Sequence, residues 1–194
     1  MLNKWYIGLD QSSSNTGIAA TNGRVILTSN LIIKAKLSMP EKLMLIEDFI
    51  RSCCEAVEPA KVYTEAIYSR ARLIRAFTAL LKVETTIHNY LFRVGYPYET
   101  MSPNHTQADS WPRKIGVRNT KDSVRLWLLE NGQTLPKVIS EHELDALGVL
   151  FGGLVKDDII DDVSCIFKLP IVHHRFNDYP NMLKREADNL VYSA

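Results

Sequence analysis

Trp5-Tyr6-Ile7-Gly8-Leu9-Asp10 is a short run of β-forming apolar residues that ends on a carboxylate, and residues 11–15 after it are polar. Side chains alternate between the faces of a strand, so Trp5, Ile7 and Leu9 share one face while Tyr6, Gly8 and Asp10 share the other. Asp10 then stands at the strand's exit, where main-chain pairing gives way to open space. Two readings of it stand at this point. Asp commonly opens a turn by bonding its own backbone, and a carboxylate at a strand exit is also where an enzyme holds a metal ion.

The sequence that follows bears on the choice. Gly17-Ile18-Ala19-Ala20 is a strand candidate, Asn22-Gly23 predicts a two-residue hairpin turn, and Val25-Ile26-Leu27 with Leu31 to Ile33 beyond it completes an antiparallel three-strand meander. Ser38-x-x-Glu41 with Pro40 is a capping box, after which Leu43, Ile46, Ile50, Cys53 and Val57 recur at helical spacing until Pro59 closes the helix. Lys61-Val62-Tyr63-Thr64-Glu65-Ala66-Ile67 is a second β-prone run with a carboxylate near its end. A strand, a crossing helix and a further strand place the two strands parallel, so Glu65 is predicted at the same sheet edge as Asp10. That convergence favours a functional role for both.

A long helix is predicted over 70–93, with Leu73, Phe77, Leu80, Ile87, Leu91 and Val94 on one face, Gly95 as its stop, and Arg70, Arg72 and Arg75 in its first turn. Residues 96–101 read as another strand. A polar segment holding Trp111, Arg113 and Lys114 follows, then a helix capped by Asn119 or Thr120 and stopped at Asn131-Gly132. The last informative stretch is Glu141-His142-Glu143-Leu144-Asp145-Ala146-Leu147, continued by an uncharged run to Val155 that predicts a buried helix. His142 and Asp145, three apart, lie on the same side of its first turn. Acids at a helix start also complement its dipole, by ~0.3–1 kcal/mol, and that suffices for Glu141 and Glu143. It does not call for a histidine. Three carboxylates brought together repel, and a divalent cation is the usual remedy.

Length and composition bound the rest. A chain of 194 residues, 46% of them hydrophobic, predicts one well-buried domain over 1–155 and an extension over 156–194 without a readable role. The net charge is only +1, but residues 70–125 carry ten Lys or Arg against four acids, whereas 130–165 carry eight acids against two lysines. Such a division suits a polyanion-binding surface beside a metal-binding one, and equally two solvated faces. Asp157, Asp158, Asp161 and Asp162 lack the glycine-bearing loop of a calcium site and read as solvated acids. His173 and His174 are adjacent and make a poor metal pair. Cys53, Cys54 and Cys165 form no zinc or disulfide pattern. With neither a signal segment nor an apolar run of membrane-spanning length, the expected location is cytoplasmic, of a bacterium or a phage-infected host, and no membrane partner is expected.

Taken in order, Ile7-Gly8-Leu9-Asp10 with Thr16-Gly17, Thr64-Glu65-Ala66-Ile67-Tyr68, the long helix with its basic start, and His142-x-x-Asp145-Ala146-Leu147 resemble the RuvC-type Holliday junction resolvases of the ribonuclease H-like superfamily. The resemblance spans roughly residues 4–155. Gln11-Ser12 stands where Pro-Gly commonly follows the first Asp, and that divergence, with the C-terminal extension, suggests a phage or viral branch. The resemblance implies an α/β fold, a mixed sheet in which the antiparallel meander is followed by parallel strands, flanked by helices.

It further implies that Asp10, Glu65, His142 and Asp145 form the catalytic set and hold two Mg²⁺ or Mn²⁺ ions, with Glu141 left open as a substitute for His142. Tyr68 would stack on unpaired bases, and Arg70, Arg72, Arg75, Arg113, Lys114 and Lys121 would contact phosphates. The implied partners are branched DNA, four-way junctions above all, and a second copy of the chain in a symmetric homodimer with the long helix at its interface. Three other readings share features of the sequence: an RNA-processing nuclease of the same superfamily, a junction-binding protein that does not cut, and a sugar kinase or actin-like ATPase. The last needs a second comparable domain, for which 194 residues leave no room.

Overall fold

The computed structural model describes residues 2–67, 74–102, 123–160 and 169–191. The predicted meander forms as β1 (Tyr6–Asp10), β2 (Asn15–Thr21) and β3 (Ile26–Ile32), antiparallel throughout, with Asp10 opposite Gly17 and Thr21 opposite Ile26. The β2–β3 connection is four residues long rather than the expected two. Asn22 Oδ1 accepts the backbone N–H groups of Arg24 at 2.9 Å and Val25 at 3.3 Å, and the Thr21 hydroxyl donates to Val25 O. These side-chain bonds close a wider loop than the Asn-Gly pair would by itself, while Gly23 still supplies the left-handed residue at φ 80°.

Helix α1 (Met39–Val57) starts where Glu41 accepts from the N–H and hydroxyl of Ser38, and ends at Glu58, left-handed before Pro59. Strand β4 (Lys61–Glu65) then pairs parallel with β1, with Gly8 opposite Tyr63 and Leu9 opposite Thr64. Helix α2 (Ile74–Val94) leads to β5 (Tyr98–Met101), parallel to β4. This strand begins two residues later than expected because Tyr96 N–H still bonds Leu91 O, closing α2 around Gly95. Helices α3 (Ser123–Glu130) and α4 (Glu141–Lys156), strand β6 (Ile171–His173) and helix α5 (Tyr179–Val191) complete the described elements. The sheet order is β5-β4-β1-β2-β3-β6, an α/β arrangement of the mixed kind expected.

The alternation of β1 separates two cores. Trp5, Ile7 and Leu9 join the side that includes Ile46, Ile50, Ile87 and Leu91 from α1 and α2, whereas the other face is covered by α4, with Leu147, Leu150 and Leu154 wholly buried. The helix lies so close to the sheet that a Cβ on Gly8 would stand 2.5 Å from Ala146 O, and one on Gly17 would stand 2.0 Å from His142 O. Cys53 and Cys54 are buried free thiols, and burial pushes the Cys54 thiol up to about 12.

The described part of 156–194 is built into the same sheet: β6 pairs with β3, and buried Tyr179 of α5 donates to Leu27 O at 2.8 Å. Asp157, expected to be a solvated acid, instead accepts from Lys61 Nζ at 2.6 Å and from the Tyr63 hydroxyl at 2.7 Å. The chain's return to β4 put those partners beside it, which local sequence does not reveal. Asp161, Asp162 and Cys165 lie outside the described residues. Among the described residues no helix is long and apolar enough to cross a membrane.

Candidate functional site

Asp10 closes β1 and Glu65 closes the adjacent, parallel β4, so the register that sets Leu9 beside Thr64 carries both carboxylates to one edge and one face. The first turn of α4 lies over that edge. Gly17 permits this, since its bare Cα is what the His142 carbonyl rests against. His142 Nδ1 and Asp10 Oδ2 are 2.6 Å apart, and the bond to Asp10 raises the imidazole's pKa against the effect of burial. Burial, then the charges of Asp10 and Asp145, push Glu65 from its ordinary 4.5 up to about 8. His142 partly offsets that rise. The fold thus brings all four expected residues, Asp10, Glu65, His142 and Asp145, into one electrostatic group. Glu141 is exposed, and His142 is the residue that reaches Asp10.

The donor chemistry suits a hard divalent cation: three carboxylates with their oxygens and one imidazole. Repulsion among those carboxylates is what a cation would relieve. Among the described residues no group of three or more His, Cys, Asp or Glu side chains is already set to hold an ion.

Three features of the site escaped the sequence reading. Ser140-x-x-Glu143 is a capping box: the Glu143 carboxylate accepts from Ser140 N–H at 2.9 Å and Ser140 Oγ at 2.8 Å, while Ser140 Oγ accepts Glu143 N–H. Its spacing is legible in the sequence, although helix-dipole complementarity by itself already accounts for Glu143 there. The same carboxylate, fully buried, meets His173 Nδ1 of β6 at 2.6 Å, a contact across 30 residues that no local pattern announces. Gln11, read as part of a polar turn, is buried, and its amide bonds both backbone groups of Glu65. An open cleft of about 270 Å³ lies over this pair, lined by Asp10, Gln11, Ser12, Glu65, Ala66, Ile67 and Leu80.

The expected DNA contacts cannot be placed in the same way. Tyr68, Arg70, Arg72, Arg113, Lys114 and Lys121 lie outside the described residues, and Arg75 is described only as part of the α2 backbone.

No protein-family model and no curated protein matches this sequence. Solved structures do. RuvC of T. thermophilus in complex with a Holliday junction substrate matches at a TM-score of 0.65 and 12% identity, over 80% of this chain and 96% of that one. The fold is that of the RuvC resolvases. A further Thermus thermophilus RuvC structure matches at 0.60 and 14% identity with the same coverage. The yeast mitochondrial Holliday junction resolvase Ydc2 matches at 0.53 and 12% identity over 100% of this chain and 85% of that one. The mixed α/β sheet with its helices is the fold that matches these structures.

Proposed function

We propose that this protein is a metal-dependent endonuclease that resolves four-way, and other branched, DNA by paired nicks. The observation that carries the reading is the convergence of Asp10, Glu65, Asp145 and His142 at one edge of a RuvC-like sheet. Two Mg²⁺ or Mn²⁺ ions per site are proposed, held by Asp10, Glu65, Asp145 and His142. When bound, such ions lower the pKa of water and neutralise charge on the leaving 3′ oxygen, giving a 5′-phosphate and a 3′-hydroxyl. The chain's own part is to present these groups prearranged. Glu65 gives up the proton that its buried setting retains to about pH 8, and His142, bonded through Nδ1 to Asp10, holds or passes a proton at the edge where water enters.

In the same proposal Arg70, Arg72, Arg75, Arg113, Lys114 and Lys121 contact phosphates, Tyr68 stacks on an unpaired base, and two copies pair along α2 so that two sites address two strands. Placement in a phage or viral branch and a cytoplasmic location belong to the same reading. The test is incubation with an immobile four-way DNA junction, with duplex and RNA controls, in Mg²⁺, Mn²⁺ or EDTA. Paired cation-dependent nicks near the crossover are expected, and Asp10→Asn should abolish them while junction binding stays within a few-fold. Retained nicking by Asp10→Asn removes the assignment. Cleavage of RNA without junction preference supports an RNA-processing nuclease, and tight junction binding without a cut supports a binding protein.

A further inference from the structure

The strand pairing between β1 and β4 runs from Tyr6 opposite Lys61 to Leu9 opposite Thr64 and stops there, one residue short of the two carboxylates. At the next position the bonding is taken over by a side chain. Gln11 Nε2 donates to Glu65 O at 2.5 Å, and Glu65 N–H donates to Gln11 Oε1 at 3.2 Å. The amide thereby meets both the donor and the acceptor of one peptide residue, as a neighbouring strand would. Only one orientation of the amide satisfies both groups, so the pairing also fixes the side chain.

Gln11 is presented by a turn that is itself tied down. Ser12 Oγ donates to Asn15 O at 2.6 Å and accepts Asn15 N–H at 3.0 Å, and Thr16 Oγ1 donates to Ser12 O at 3.0 Å. Gln11 is only 5% exposed, so water competes poorly for its bonds. On its other side β4 is held by β5, with Ala66 N–H bonded to Met101 O at 2.8 Å. The end of β4 is therefore gripped from both flanks.

We propose that Gln11 is a positioning residue, whose amide extends the β1–β4 pairing by one rung and so holds the backbone of Glu65 beside Asp10. One residue after Asp10 in sequence, it ties the two carboxylates into a single rigid unit despite their repulsion. Its consequence for cation binding and cleavage rests on the nuclease reading above. The clamp itself does not.

The test compares wild type with Gln11→Met, which keeps the buried volume and loses both bonds, and with Gln11→Ala as a second variant. Amide hydrogen exchange in metal-free protein reads the clamp directly: Glu65 N–H should exchange at least about tenfold faster in both variants, the order expected for loss of one such bond, while the Gly8 and Val62 amides keep their protection. Unchanged protection at Glu65 overturns the proposal, and so does a uniform loss across β1 and β4, which would make Gln11 a general stabiliser. Mn²⁺ titration then reads the consequence: the variants should bind about tenfold more weakly, and their nicking of a four-way junction should recover as Mn²⁺ is raised. Equal Mn²⁺ affinity in wild type and variants limits Gln11 to the backbone and overturns the positioning role. A wild type that neither binds Mn²⁺ nor nicks removes the nuclease reading, and the exchange result still decides the clamp.

Discussion

Strand β4 and helix α4 each have one end at either edge of the sheet, and the two edges treat charge in opposite ways. At the far edge carboxylates meet lysines: Lys61 bonds Glu99 and Asp157 at 2.6 Å each, and Lys156 also bonds Glu99. Hydrogen bonds from Lys156 and Lys61 hold the Glu99 carboxyl below its usual value. For Lys61, burial opposes the charge, and the bonds to Asp157 and Glu99 more than compensate. At the near edge Asp10, Glu65 and Asp145 face one another, and Glu65 is driven up to about 8. In the function proposed above the near edge is the cation site, whereas the far edge is a structural clamp.

The largest expected effect comes from two tightly packed glycines, one at each edge. Gly17 is pressed by the His142 carbonyl near the site, and Gly153 is pressed by the Tyr63 ring, where an added Cβ would lie 2.4 Å from Cδ1. Gly17→Ala and Gly153→Ala should each cost about 1–3 kcal/mol in urea unfolding, the usual penalty for overpacking. Only Gly17→Ala should also lower nicking by about 100-fold, because it displaces His142. Equal nicking losses in the two variants would erase the functional distinction between the edges.

The next effect lies in the pH dependence of stability. Between pH 4.5 and about 8 folded Glu65 keeps a proton that the unfolded chain releases, so metal-free stability should fall as pH rises through that window. His142, also raised from its ordinary 6.5, acts in the same direction above that pH. Glu65→Gln should flatten the slope when unfolding is followed from pH 5 to 8.5 in EDTA, and an unaltered slope would mean Glu65 is not the group that carries it. The smallest effect is expected at the far edge. Lys61→Met should destabilise by about 1–2 kcal/mol, between the ranges for exposed and buried pairs, and leave the nicking rate within twofold of wild type.

The same contrast separates what the sequence disclosed from what it concealed. Alternation in Trp5 to Asp10, the helical spacing of α1 and the strand–helix–strand order placed Asp10 and Glu65 at one edge, because these are local periodicities combined with a chirality rule. His142 and Asp145 were legible as the polar start of a helix otherwise without charge. What stayed hidden depends on contacts made at long range. Glu143 with His173, Lys61 with Asp157 and Gln11 with Glu65 join residues 30, 96 and 54 apart. The β2–β3 loop departs from the expected two-residue turn for a nearer reason: the Asn22 side chain bonds the backbone N–H groups of Arg24 and Val25 within a wider loop.

The most direct test of the central claim is a Mn²⁺ titration of the purified protein, followed by calorimetry and by the loss of the free-ion paramagnetic signal. Saturable binding is expected for wild type and for Lys61→Met, with release of protons as Glu65 ionises, and loss of binding is expected in Asp10→Asn. Binding that survives unchanged in Asp10→Asn, or a wild type that takes up no Mn²⁺ at all, would contradict it.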